Sequence, residues 1–215
     1  MEDKKLISNI LALHKKTYNE LAKEYESRAE SLFDVTRNAM DNFSFFIKSK
    51  GLILDVGCGV GVAMNILAKK GFKLIGLDLS QKMIDFAKKR NPGIKIIKGD
   101  FLKTEFDEKF DAILTFAFIH LFPKSEVPKI FDKIKSILKP GGVALISSTE
   151  KFESKEGISI KEGYNIKLKR FRKSWTEQEL RESISQSGFR ELAFKKYSDP
   201  FNKIWMDFIV QFKIK

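Results

Sequence analysis

Apolar residues recur at helical spacing through the first part of the chain and then contract into short runs separated by amphipathic stretches. Leu6, Ile10, Leu13, Tyr18, Leu21 and Tyr25 fall roughly on one helical stripe, and a second helical segment follows from about Ser31 to Lys48. Beyond it, apolar strands are predicted near residues 52–56, 72–78, 94–98, 111–117 and 143–149, with helices near 60–70, 80–90 and 124–138 between them. Strand alternating with helix predicts a parallel sheet covered by helices on both faces. Later, Thr176 followed by Glu179 forms a capping box that opens a helix ending at Gly188. The tail changes period: Phe189 to Tyr197 and Ile204 to Ile214 read as strands joined across residues 198–202, with Ile204, Met206, Phe208, Val210 and Phe212 alternating on one face. So short a connection requires an antiparallel pair, giving seven strands in all.

The first strand runs directly into glycines. Gly57, Gly59 and Gly61 lack the Cβ atoms that obstruct positive φ or close approach of a ligand, and the turn opens a helix N-terminus, so a nucleotide-like ligand is expected. A dinucleotide fingerprint needs its third glycine at position 62, which is Val62, and this argues against NAD. Asp55, just before the turn, would repel a pyrophosphate but accept a hydrogen bond from an ammonium group. Asp78 ends the second strand 23 residues later, where a carboxylate can take both hydroxyls of a ribose. Asp100 and Phe101, after the third strand, suit an adenine, Asp100 through its exocyclic amine and Phe101 or a neighbour against its flat face.

With these residues in order, the chain resembles the class I S-adenosylmethionine-dependent methyltransferases over most of its length. LDVGCGVG resembles that family's first motif, GLDLS (residues 76–80) its second and GDF (99–101) its third. Residues 110–120 look like the fourth-strand segment, and 138–142 like the turn before the fifth strand. The resemblance implies a Rossmann-like doubly wound sheet, mostly parallel, with an antiparallel C-terminal hairpin, and S-adenosylmethionine as cofactor. It places Gly57, Gly59 and Gly61 against the methionyl part, Asp78 on the ribose, and Asp100 and Phe101 on adenine, with Cys58, Leu79 and Met83 as further cofactor-binding candidates. Asp55 orders the loop or takes the amino group. Residues 1–48 look like a helical lid in which Tyr18 and Tyr25 cover the methionine end, the competing reading being a core-facing aromatic stripe. Phe116 is either core or a ligand contact at the strand edge. His120 is either a base beside the transferred methyl or a packed structural side chain. The family's Asn/Asp-Pro-Pro-Tyr tetrad for exocyclic amines is replaced by Thr115, Phe116, Ala117 and Phe118, which disfavours methylation of adenine in nucleic acid.

Composition narrows the picture further. A chain of 215 residues suits one domain, residues 1–215. No apolar run reaches the ~20 residues of a membrane span, and the first residues resemble no signal peptide, so a cytoplasmic protein without membrane partners is expected. A single cysteine, Cys58, excludes an intramolecular disulfide, and with His14 and His120 far apart no metal site is expected. His14 reads as a solvated residue on a polar helix face. The net charge of +12 reflects 40 basic and 28 acidic residues spread along the chain. Residues 151–174 concentrate it, with eight basic against three acidic side chains. This basic insertion (150–174) follows the fifth strand, where ligands bind, so Lys169, Arg170 and Arg172 are candidates for holding an anionic acceptor. A small-molecule acceptor is the favoured partner. An RNA or protein acceptor suits the charge but lacks an appended recognition domain, and a non-catalytic cofactor-binding subunit is the third reading.

Overall fold

A computed structural model describes residues 2–48, 50–161 and 163–212. Two helices come first, α1 (Glu2–Ser27) and α2 (Phe33–Phe45). There follow β1 (Leu52–Val56), α3 (Val62–Lys69), β2 (Lys73–Asp78), α4 (Gln81–Arg90), β3 (Lys95–Lys98), β4 (Phe110–Phe116), α5 (Val127–Ile137) and β5 (Leu138–Thr149). An antiparallel ribbon, β6 (Lys155–Ile160) with β7 (Lys169–Ser174), precedes α6 (Glu177–Gln186), β8 (Phe189–Ser198) and β9 (Ile204–Phe212). The main sheet has seven strands in the order β3-β2-β1-β4-β5-β9-β8. β1 to β5 run parallel, and β9 is inserted antiparallel between β5 and β8.

The sheet is doubly wound because its strands are apolar on both faces. Ile53, Ala112, Leu114, Val143 and Leu145 face a cluster with Met40 and Phe43 of α2 and Met64 and Leu67 of α3. The residues beside them, Leu54, Ile113, Ala144 and Ile146, face the opposite cluster, with Ile130, Phe131 and Ile134 of α5 and Leu180 and Ile184 of α6. This period of two is what a strand buried on both sides must show. β9 follows the same rule: Met206, Phe208 and Val210 enter one cluster and Ile209 the other, so both faces are covered rather than the one face its alternation suggested. The expected extension of this strand to Ile214 lies outside the described residues.

The chain winds outward from β1 to β3 and then returns to place β4 on the other side of β1. This reversal opens a crevice at the carboxyl ends of β1 and β4, which is where ligands bind in such sheets. α1 packs on α4 and on β7, so it lies across this edge of the sheet.

At α6 the cap forms by half. Thr176 Oγ1 accepts from Glu179 N at 3.2 Å, but the Glu179 carboxylate turns away to Lys173 at 2.6 Å and Lys124 at 2.8 Å. A buried ammonium outcompetes the backbone N–H that a capping box would satisfy, since charge-assisted bonds are the stronger.

Candidate active site

The glycine turn after β1 is built by left-handed residues. Gly57, Gly59 and Gly61 have φ of 72°, 54° and 78°, a region in which any side chain is strained. Gly57 N and Cys58 N both donate to Leu77 O, at 2.7 and 3.0 Å, tying the turn to β2. A Cβ on Gly57 would lie 2.9 Å from Phe118, and one on Gly61 would strike Asn91 and Ala87 of α4, whereas Gly59 faces open space. The outer two glycines therefore allow close packing, and the middle one leaves bare backbone available. Cys58 is buried and packs toward Gly76. Burial holds its thiol well above the ordinary value, so it stays protonated and inert.

Two carboxylates stand beside the turn. Asp78 accepts from Gly59 N at 2.9 Å and from Ser80 N at 2.8 Å, using two of about four lone-pair positions and leaving the rest for a ligand. Burial raises its carboxyl, and the backbone N–H donors of Ser80, Gly59 and Leu79 oppose that rise. Asp55 is 2% exposed, and its Oδ2 has no partner. Burial, with the charge of Asp78 second, pushes its carboxyl up to about 8. A carboxylate placed here without a donor is costly unless something cationic arrives. Asp100 lies at the end of β3, where its Oδ1 accepts from Leu102 N at 3.1 Å.

Phe101 is buried in the main core, edge-on to Phe118 at 5.9 Å, and Phe118 in turn covers Gly57. Phe116 stacks on Trp205 at 5.0 Å and 10°, which makes it a wall of the sheet edge. Ala117 follows with φ 60°, a strained turn costing on the order of 1–3 kcal/mol at a non-glycine residue. That turn aims Phe118 at the glycines and sends the chain into a 3-10 segment, Ile119–Leu121. Met83 is buried with Val60 and Ala22 beneath Tyr18 and Tyr25, so α1 covers the glycine turn through these tyrosines. Leu79 is half-buried, directly after Asp78 at the end of β2.

His14 departs from expectation. It is 4% exposed, with Nε2 3.0 Å from Leu121 O, and burial drops its imidazole to about 4. His14 lies on the buried stripe of α1 with Ile10, Thr17 and Leu21, where the 3-10 segment after β4 meets it, a tertiary contact that helix periodicity does not report. His120 is also buried, with Nδ1 3.1 Å from Ser148 Oγ. Burial first, then the charges of Arg172, Arg170 and Lys161, hold it well below the ordinary imidazole range. It is neutral at physiological pH, and its conjugate acid is disfavoured.

The basic insertion sorts itself by strand alternation. Arg170 and Arg172 share one face of β7: Arg170 Nη1 donates to Tyr18 Oη at 3.4 Å, and Arg172 Nη2 to Thr149 Oγ1 at the end of β5. Lys169 points the other way and is exposed, only its carbonyl being held, by Thr17 Oγ1 at 2.5 Å, so it does not join the arginines as expected. In its place stands Lys161, 6% exposed, with Nζ 4.6 Å from the Tyr164 ring centre, 5.1 Å from Tyr25 and 5.7 Å from Tyr18. Sequence reasoning counted Lys161 among the basic residues without singling it out and passed over Tyr164. The aromatic residue inside a basic run was the available signal.

Residues 53–142 match a family model described as a methyltransferase domain. An uncharacterized methyltransferase of Alkaliphilus oremlandii is 30% identical over 139 residues, 65% of this chain and 60% of its own. Sterol 24-C-methyltransferase of Kluyveromyces lactis is 32% identical over 170 residues, 74% of this chain and 45% of its own. The chain thus spans about half the length of the curated relatives it matches. Among solved structures, the DhpI–SAH complex superposes with a TM-score of 0.74 at 16% identity, covering 96% of this chain and 98% of that one. Among the described residues no helix is long and apolar enough to cross a membrane, and no His, Cys, Asp and Glu cluster could hold a metal ion.

Proposed function

We propose that this chain, which belongs to the class I S-adenosylmethionine-dependent methyltransferase family, transfers a methyl group from S-adenosylmethionine to a small, acidic acceptor. The observation that carries the cofactor assignment is the unpartnered, buried Oδ2 of Asp55 beside a glycine turn with one open position. The α-amino group of a methionyl moiety is the cation this carboxylate lacks, and the remaining lone pairs of Asp78 fit a ribose diol. When bound, the cofactor supplies an electrophilic methyl on a good leaving group.

The protein then has mainly to align and enclose. Gly57 to Gly61 and Asp55 hold the methionyl end, Asp78 the ribose, and Asp100 the adenine edge. Phe116 and Phe118 wall the crevice, and Tyr18 and Tyr25 on α1 cover it against water. With Phe101 turned into the core, the adenine face is left to its neighbours, Leu79 being one. His120 is best read as a positioning residue, since an imidazole buried among cations is a poor proton acceptor. Residues 1–48 then act as a lid over one domain, and the ribbon forms the acceptor's side of the crevice.

Calorimetry tests this. S-adenosylmethionine or its demethylated product should bind, and NAD should not. Micromolar binding of NAD with none of the sulfonium cofactor would overturn the function while leaving the fold intact.

A further inference from the structure

We infer that Lys161, Arg170 and Arg172 form an oxyanion subsite that seats a carboxylate or phosphate group of the acceptor. Its assignment to the acceptor rests on the methyltransferase reading, whereas anion binding itself does not. Three observations converge. Lys161 is almost fully buried among three tyrosine rings, and none of the described carboxylates lies within ion-pair distance of it, of Arg170 or of Arg172. Arg170 Nε is buried with no acceptor at all. The three basic groups also stand close together: burial first, then the charges of Arg170, Lys203 and Arg172, hold the Lys161 amine well below its ordinary value, and burial first, then Arg170, lowers Arg172 to about 10.

Folded proteins rarely bury like charges together without a counter-charge, because desolvation and repulsion both oppose it. The neighbouring cation Lys173 shows the ordinary solution, an ion pair with Glu179 at 2.6 Å. The subsite also lies where an acceptor must be. Tyr18 bonds Arg170 on one side and packs on the Val60 and Met83 cluster of the glycine turn on the other, while Arg172 reaches Thr149 at the end of β5. Two planar guanidiniums and an ammonium suit an oxyanion, and the tyrosine rings suit an apolar or aromatic body attached to it.

The test uses the full chain and three bare anions, sulfate, phosphate and acetate, titrated calorimetrically at constant ionic strength made up with chloride. Wild type should bind sulfate or phosphate at one site, and Lys161→Met and Arg172→Gln should each weaken it roughly tenfold or more. Lys155→Gln, an exposed site on β6, should leave it unchanged. Preference for acetate over phosphate would identify a carboxylic acid as the group recognised, and the reverse a phosphoryl group. Lys161→Met should also melt higher than wild type in chloride and gain nothing from sulfate, which keeps the result readable independently of activity. Equal sulfate binding by wild type and Lys161→Met, or no binding beyond chloride, would overturn the subsite. Binding of S-adenosylhomocysteine is measured alongside: sulfate bound without it would sink the methyltransferase reading and spare the subsite.

Discussion

Asp55→Asn separates what the carboxylate does for the ligand from what it does to the fold. The Asp55 carboxyl moves from an ordinary 3.8 to about 8 on folding. The folded state therefore holds this proton more tightly than the unfolded chain. Stability from that difference is complete below pH ~4 and is lost as pH rises to about 8. At pH 7 about three pH units of that interval have been crossed, and at 1.36 kcal/mol per unit the loss is about 4 kcal/mol. An asparagine does not ionise, so it avoids this loss, but its amide needs an acceptor where Oδ2 has no partner, returning about 1–3 kcal/mol. In ligand-free protein Asp55→Asn should thus be more stable than wild type at pH 7 by about 1–3 kcal/mol; the advantage should vanish between about pH 4.5 and 6 and reverse near pH 4, where only the cost of the amide remains. Urea denaturation of both proteins from pH 4 to 8.5 measures it. Asp207, also raised by burial, to about 6, titrates in the same window but is common to both and cancels in the difference. Affinity should move the opposite way, with S-adenosylhomocysteine weakened by roughly ten- to a hundredfold for loss of a charged hydrogen bond. Parallel stability curves for the two proteins would refute the claim that Asp55 is a strained, unpartnered carboxylate. Unchanged affinity would refute its role toward the amino group.

Asp78→Ala should weaken cofactor affinity by about 1.5–3 kcal/mol in a protein that still folds, read by calorimetry, since both the ribose acceptor and the anchor of Gly59 N are lost. His120→Gln should lower turnover modestly while leaving the pH dependence of kcat between 6 and 8 unchanged, because this imidazole is already neutral there; loss of a titration near 6.5 would restore it as the base. Cofactor or product should slow proteolysis near Lys15, Lys16 and Lys23, because α1 packs on the turn that the ligand completes; equal cleavage with and without ligand would make α1 a permanently docked helix. Neutralising Arg170 and Arg172 together should raise the acceptor's KM and leave cofactor affinity nearly unchanged, with a smaller loss at high salt.

The parts of this site legible in the sequence are those whose geometry is local. A strand that ends in three closely spaced glycines can only turn, and an acidic residue at the end of the next parallel strand must fall beside it, so Gly57, Asp55 and Asp78 came together without tertiary information. The ribbon was not legible in that way. Its basic residues formed one undivided charge run, because nothing in Lys169 to Lys173 shows which period applies until β6 pairs with β7. Once paired, alternation assigns each a different fate: Lys169 faces solvent, Arg170 and Arg172 turn to Tyr18 and Thr149, and Lys173 is buried over Trp175, its ammonium 4.5 Å from the ring, to meet Glu179. The same contact explains the incomplete capping box, since Glu179 is drawn to a cation that only the ribbon could deliver. His14 was misplaced for a related reason. Helix periodicity ranks faces by the residues they carry, whereas the ring here is buried by a segment 107 positions away, whose Leu121 O accepts from its Nε2–H. Charge in this chain is thus a guide to function only after pairing has divided it: Lys169 is solvated, Lys173 with its carboxylate is architecture, and Lys161, buried with no ion pair among the described carboxylates, is the one on which the proposed anion subsite rests.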